Sequence, residues 1–231
     1  MAIAARTGVT SQLTKADREE RRRLGVSVNY AGDISVARNL NACIPVMETC
    51  SFWLQGLPPG CTYHDLLSPI RGVGRIWSTI TKPPLPPAPE KPYGTPTSAA
   101  KIVFFELEAA QEFLNRFYRD GFSVNGFHAK LAHNRVRAEA QTRRHRDVSR
   151  VVTVRGPKGL VNTEYLLEAF RGKFTFDMDE INTIWEGNKS RALEFRFGSF
   201  RAQAQSAHRL LRSELDIPRK LHVLYGTDPC A

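Results

Sequence analysis

Two stretches of the chain alternate apolar and polar residues in the same way: Phe52-Trp53-Leu54-Gln55-Gly56-Leu57 and Val152-Thr153-Val154-Arg155-Gly156-Pro157. A period of two predicts strands. Each is followed, at the same distance, by a Leu-Leu pair with helical spacing. In the first copy the stripe is Leu66, Leu67 and Ile70; in the second it is Tyr165, Leu166, Ala169 and Phe170. Thr62 and Asn162 stand where an N-cap is needed. Further strands are expected around Ile76–Ile80 and Glu180–Trp185. Others follow at Ile102-Val103-Phe104-Phe105 and Leu193-Glu194-Phe195-Arg196-Phe197. Second helices follow, with Leu107, Ala110, Phe113, Leu114 and Phe117 in one copy and Phe200, Ala204, Ala207 and Leu211 in the other. Last strands are expected at Phe127–His133 and Leu221–Tyr225. The interval from Phe105 to Leu131 equals that from Phe197 to Val223. An internal repeat sets the unit of structure. Here the unit is about 80–95 residues, a small-domain size, and reads β-α-β-β-α-β.

That order is the split βαβ arrangement. The expected fold class is α+β, with two ferredoxin-like domains. Each has a four-stranded antiparallel sheet with two helices on one face and the other face open. The expected divisions are a polar leader over 1–48, a first domain over 49–134, a linker over 135–149 and a second domain over 150–231. Alternation puts Phe52 and Leu54 inward and Trp53 and Gln55 on the open face. It groups Ile76, Ser78 and Ile80 on one side of strand 2 and Arg75, Trp77 and Thr79 on the other. Lys130 points outward on strand 4. In the second copy Arg155, Arg196 and His222 share the open side.

These residues resemble the RNA-recognition motif. In that family strand 1 is a hexamer with an aromatic at its second place, here Trp53, and Gly56-Leu57 ends it. Strand 3 is an octamer ending apolar-x-aromatic, matched by Val103-Phe104-Phe105 and Phe195-Arg196-Phe197, and Asn125-Gly126 sits at the turn before strand 4. The chain also looks like a group of filamentous-fungal proteins with tandem motifs of this kind. The resemblance implies that unpaired bases stack on aromatics of the open face, while basic residues hold phosphates. An octamer written as Ser98–Phe105 puts Ala100 and Ile102 at the two stacking places, so Trp77 and Phe104 are the expected replacements. In the second copy Thr153, Ala192 and Glu194 occupy the stacking places. The RNA-binding residues expected are Trp53, Gln55, Arg75, Trp77, Phe104, Lys130, Arg135, Arg143, Arg144, Arg146, Arg155 and Arg196.

Half of the chain's fourteen prolines lie in one segment: Pro83, Pro84, Pro86, Pro87, Pro89, Pro92 and Pro96. Proline cannot donate to a sheet ladder, so residues 82–97 form a loop between strands 2 and 3. Pro83-Pro84-Leu85-Pro86 matches a WW-domain ligand and Pro86–Lys91 an SH3 ligand, which offers a protein-partner reading of the loop. The linker carries Arg135, Arg137, Arg143, Arg144 and Arg146, with Arg150 at its end and only Glu139 and Asp147 opposing. In the leader, Thr14 caps a short charged helix from Lys15 to Leu24.

A net charge of +10 over 231 residues favours a polyanionic partner. No apolar run is long enough to cross a membrane or to serve as a secretory signal. Four cysteines (Cys43, Cys50, Cys61 and Cys230) lack metal-ligand spacing and suit reduced thiols in the nucleus or cytoplasm. No phosphate-binding Gly-rich loop, nucleophile elbow or paired catalytic acid is present, so neither an enzyme nor a cofactor is expected. The expected function is single-stranded RNA binding by the first sheet and the linker. The alternative is a protein-interaction module built on degenerate faces and the Pro-rich loop.

Overall fold

The computed structural model describes residues 13–24, 28, 33–35, 44–87, 89, 92–141, 147–213, 215 and 220–231. Helix α1 (Lys15–Arg23) begins in a capping box: Thr14 Oγ1 accepts from the Asp17 amide, and the Asp17 carboxylate accepts from Thr14. The first repeat comprises β1 (Ser51–Leu57), α2 (Tyr63–Leu67), β2 (Ile76–Lys82), β3 (Ser98–Phe104) and α3 (Leu107–Asp120). It continues through β4 (Ser123–Val124), β5 (Phe127–His128) and β6 (Lys130–His133). The second comprises β7 (Val151–Pro157), α4 (Thr163–Arg171), β8 (Met178–Glu186), β9 (Ser190–Phe197), α5 (Gln205–Ser213) and β10 (His222–Tyr225). The sheets run β2-β3-β1-β6 and β10-β7-β9-β8, and every pairing in them is antiparallel.

Each sheet buries one face on its own helices. In the first, Phe52, Leu54, Ala100, Ile102 and Phe104 pack with Leu66, Leu67, Ala110, Phe113 and Leu114. In the second, Val152, Val154, Leu193, Phe195 and Phe197 pack with Leu166, Phe170, Ala207 and Leu211. The short β4–β5 hairpin closes through Asn125 and Gly126, both at positive φ, the backbone that an Asn-Gly turn supplies most readily.

Three positions differ from simple alternation. First, β2 carries a bulge at Trp77, between Ile76 paired with Phe104 and Ser78 paired with Val103. One inserted residue reverses the sides of everything beyond it. Ile76 and Thr79 are therefore buried, and Ile80 is exposed on the open side. Second, Phe104 is 0% exposed in the first core, not on the open face. Third, the strand 3 octamer is offset by one residue. Ala99 and Lys101 pair with Gln55 and Trp53 on the open face, whereas Ala100 and Ile102 are in the core.

The two repeats are bound tightly to each other. The outer edge of β2 would expose unpaired amides, and the second repeat satisfies two of them. Ile76 N donates to Asp228 Oδ2 at 2.8 Å and Thr79 N donates to Ser199 Oγ at 2.8 Å, while Ser199 Oγ donates to Thr79 O at 3.0 Å. Phe105 follows β3 directly in sequence, yet it packs in the second core, with Trp77 at 5.1 Å and Phe200 at 5.4 Å between ring centroids. Beneath lies Arg150, which is fully buried. It donates to Asp228 Oδ1 at 2.9 Å, Asp179 Oδ2 at 2.7 Å and Phe197 O at 3.0 Å. Burial alone would lower its pKa; Asp228, Cys230 and Asp179 outweigh that and raise it. The chain terminus is drawn into the junction, where Cys230 O accepts from the amides of Val73 and Gly74. Gly198 packs so closely on the Tyr63 ring that an added Cβ would lie 2.4 Å from Cδ1.

The segment after β6 lies against the first repeat. Ala138 O accepts from Cys50 N at 2.8 Å, Ala138 N donates to Thr49 Oγ1 at 3.1 Å, and Gln141 N donates to Phe105 O at 2.8 Å. Arg137 donates to Ile44 O. Arg137, Ala138 and Gln141 are thus tied to the first repeat while Arg135, Glu139 and Ala140 are exposed, and Arg150 is a core cation rather than a linker cation. Arg143, Arg144 and Arg146 lie outside the described residues.

Candidate nucleic-acid interface

Antiparallel partners stand on the same face of a sheet, so register alone maps the open side of the first repeat. One row runs Ala132, Trp53, Lys101 and Ile80 across β6, β1, β3 and β2. The next runs Lys130, Gln55, Ala99 and Lys82. Trp53 is half-buried and Gln55, Lys82 and Lys130 are at least partly open to solvent. A cavity of about 260 Å³ lies on one side of Trp53, lined by Gln55, Lys82, Pro83, Leu85, Thr95 and Ala99. A second, of about 450 Å³, lies on the other side against Ala132, His133, Asn134 and Arg135. Gln55 lines both.

The Pro-rich loop supplies one wall of this site. Leu85 and Thr95 exchange backbone hydrogen bonds of 3.0 and 2.9 Å, extending the β2–β3 hairpin beyond the last ladder pair. Gly94 has φ +56, and a Cβ there would lie 2.4 Å from Leu85 O, so the turn needs glycine. A WW or SH3 domain reading Pro83–Lys91 would compete with this bridge; Ala88, Glu90 and Lys91 lie outside the described residues. Leu85 is exposed and belongs to neither core. Replacing residues 83–96 by a short Gly/Ser turn should therefore move the unfolding temperature by less than about 4 °C, under about 1 kcal/mol. A larger drop in a circular-dichroism melt would mean that the hairpin is a packed part of the fold.

Several expected site residues are engaged elsewhere. Arg75 bonds Glu106 Oε1 through Nε at 3.0 Å, donates to Val148 O at 2.6 Å and lies 4.5 Å over the Phe105 ring. Trp77 sits between Phe105 and Phe200 at the junction, because the bulge turns it toward the second repeat. Arg196 is tied to Glu194 at 2.7 Å and also to Glu180. Lys130 and Arg135 remain at the rim of the face.

The second open face holds an aromatic that alternation missed. A register shift between Thr183 and Trp185 returns Trp185 to the open side, paired with Ala192, which pairs in turn with Arg155. Trp185 is 44% exposed. The Arg155 guanidinium covers its ring at 4.8 Å, a cation–π stack. The signal was an aromatic near the end of a predicted strand, but its side depends on the bulge.

Burial pushes the thiols of Cys50 and Cys230 up to about 12 and that of Cys61 up to about 11. Such shifts keep the three thiols protonated at neutral pH, which disfavours a nucleophilic thiolate. Among the described residues no group of three or more His, Cys, Asp or Glu side chains is placed to hold a metal ion. No described helix is long and apolar enough to cross a membrane.

In both repeats the sheet order is fourth, first, third, second strand, and the first repeat presents an aromatic at the middle of its first strand. The chain is a tandem pair of ferredoxin-like β-α-β-β-α-β folds. No family model matches it, and no curated protein does. Solved structures similar to it include RNA-recognition domains 1 and 2 of Sex-lethal from Drosophila melanogaster, at 17% identity and a TM-score of 0.27. That match covers 77% of this chain and 99% of the other. The first two RNA-recognition domains of the yeast poly(U)-binding protein Pub1 match at 14% identity and a TM-score of 0.29, over 77% and 99% of the two chains. The strand order, rather than the overlay, carries the assignment of both repeats to the ferredoxin-like fold.

Proposed function

We propose that the chain binds single-stranded RNA through the open face of its first RNA-recognition-motif fold, centred on Trp53. The observation that carries this reading is an indole on the open face with a cavity on each side, bordered by Gln55, Lys82, Lys130 and Arg135. An unpaired base stacks on such a ring whatever its sequence, and cations at the rim hold phosphates without reading bases. Gln55 offers a donor and an acceptor to whatever lies beside the indole. The free cysteines Cys50, Cys61 and Cys230 suit a reducing compartment, and this reading takes the chain as a non-enzymatic protein of the nucleus or cytoplasm. The linker arginines Arg143, Arg144 and Arg146 add phosphate contacts in this reading, each contributing about 0.7 to the salt slope of binding.

The test is Trp53→Ala. Its expected effect is about 1–3 kcal/mol of lost affinity for a single-stranded RNA pool, with native circular dichroism, because Trp53 lies on the solvent side of β1. Unchanged affinity in a folded variant sinks the sheet-face reading. If the wild-type protein binds no RNA even at low salt, the protein-interaction alternative takes its place.

A further inference from the structure

The row through Trp53 does not end at the edge of the first sheet. From Trp53 it passes to Lys101 and then Ile80. The neighbour of Ile80, Thr79, is clamped by two hydrogen bonds to Ser199 of the second repeat. Two residues beyond Ser199 comes Arg201. It stands in a break before α5, where Arg201 has ψ 126 and Ala202 has φ +61. A left-handed backbone at a non-glycine residue is uncommon and concentrates at functional sites. The break takes Arg201 out of the helix, and its side chain is exposed. Lys101 and Arg201 have no side-chain hydrogen bond or ion pair with any described residue, whereas Arg75 and Arg196 are each paired with a carboxylate.

We infer that Lys101 of the first repeat and Arg201 of the second together seat one backbone phosphate of a single-stranded RNA whose base lies on Trp53. The inference rests on the sheet-face reading above and adds to it a contribution from the second repeat. Adjacent strands are about 4.8 Å apart, so a phosphate over Lys101 lies within one nucleotide of a base on Trp53. The Lys101 ammonium is held below its ordinary pKa, first by burial and then by the nearby Arg201 charge. A phosphate placed between the two cations relieves that repulsion.

The test uses the full chain, with affinity for a short labelled random-sequence RNA measured across a potassium chloride series. Arg201→Ala should weaken binding and lower the slope of log affinity against log salt, by up to about 0.7 for one single-strand phosphate. Arg201→Lys should keep most of the slope. Because one phosphate is shared, Lys101→Gln combined with Arg201→Ala should lower the slope by no more than about 0.7. A combined fall near 1.4, roughly two contacts, would mean two separate phosphates and overturn the shared seat. If Trp53→Ala weakens binding while Arg201→Ala changes neither affinity nor slope, the seat is wrong and the sheet-face reading stands. If the wild-type protein binds no RNA at low salt, both fall together.

Discussion

Replacing Arg150 by alanine is expected to destabilise the folded chain by about 3–5 kcal/mol, a large share of the roughly 5–15 kcal/mol that holds a folded protein together. The guanidinium is fully buried and joins three segments that are far apart in sequence: Asp179 on β8, Phe197 at the end of β9 and Asp228 in the C-terminal tail. Removing it leaves the buried carboxylate of Asp228 without its cation. That carboxylate also accepts from the amides of Ile76 and Cys230, so the loss reaches the edge of the first sheet. Removing one member of a buried pair costs more than the pair contributes, because the remaining charge is stranded away from water. Urea unfolding followed by circular dichroism should show a lower midpoint. An unchanged midpoint would mean that the junction does not depend on this cluster.

The second large effect is expected from Phe105→Ala, at about 3–5 kcal/mol. Phe105 is fully buried, yet its partners are Trp77, Phe200 and the Arg75 guanidinium rather than the core of its own repeat. The truncation leaves a cavity at the junction, and the surrounding backbone is held by the Ser199–Thr79 and Asp228–Ile76 hydrogen bonds, so collapse around it is limited. Hydrogen exchange should quicken in the second repeat as well as at the end of β3. If exchange quickens in the first repeat alone, Phe105 is an ordinary residue of that core. Phe104→Ala is the natural comparison, since Phe104 packs on Phe52 and Phe113 within the first repeat.

Local pattern was sufficient for the β-α-β-β-α-β order, but not for the β4–β5 hairpin that splits the expected last strand of the first repeat, nor for the break at Arg201–Ala202 before α5. Thr14, Thr62 and Asn162 cap helices because each side chain reaches an amide three residues on, a purely local geometry. Trp53 was legible as an open-face aromatic because β1 alternates without interruption as far as Gln55. Where alternation is interrupted, sequence reading fails in a definite way. The bulge at Trp77 reverses the sides of β2, and the shift before Trp185 does the same in β8. Neither has a local sequence mark, since a bulge is defined by the partner strand it is out of step with. The octamer frame failed for a related reason: two adjacent phenylalanines, Phe104 and Phe105, both suit an apolar strand end, and only the pairing with β1 and β2 separates them.

The sequence by itself determined two β-α-β-β-α-β repeats, their helix caps, the open-face place of Trp53 and the excess of positive charge. Each follows from a period, a short-range hydrogen bond or a count. Only the tertiary structure decided which cations are engaged. Arg75, Arg150 and Arg196 are held by carboxylates, and Arg155 lies on Trp185, while Lys101 and Arg201 belong to elements of separate repeats that meet at the Thr79–Ser199 hydrogen bonds. A cation's availability depends on partners placed close by folding and distant in the chain, and no periodicity along the sequence carries that information.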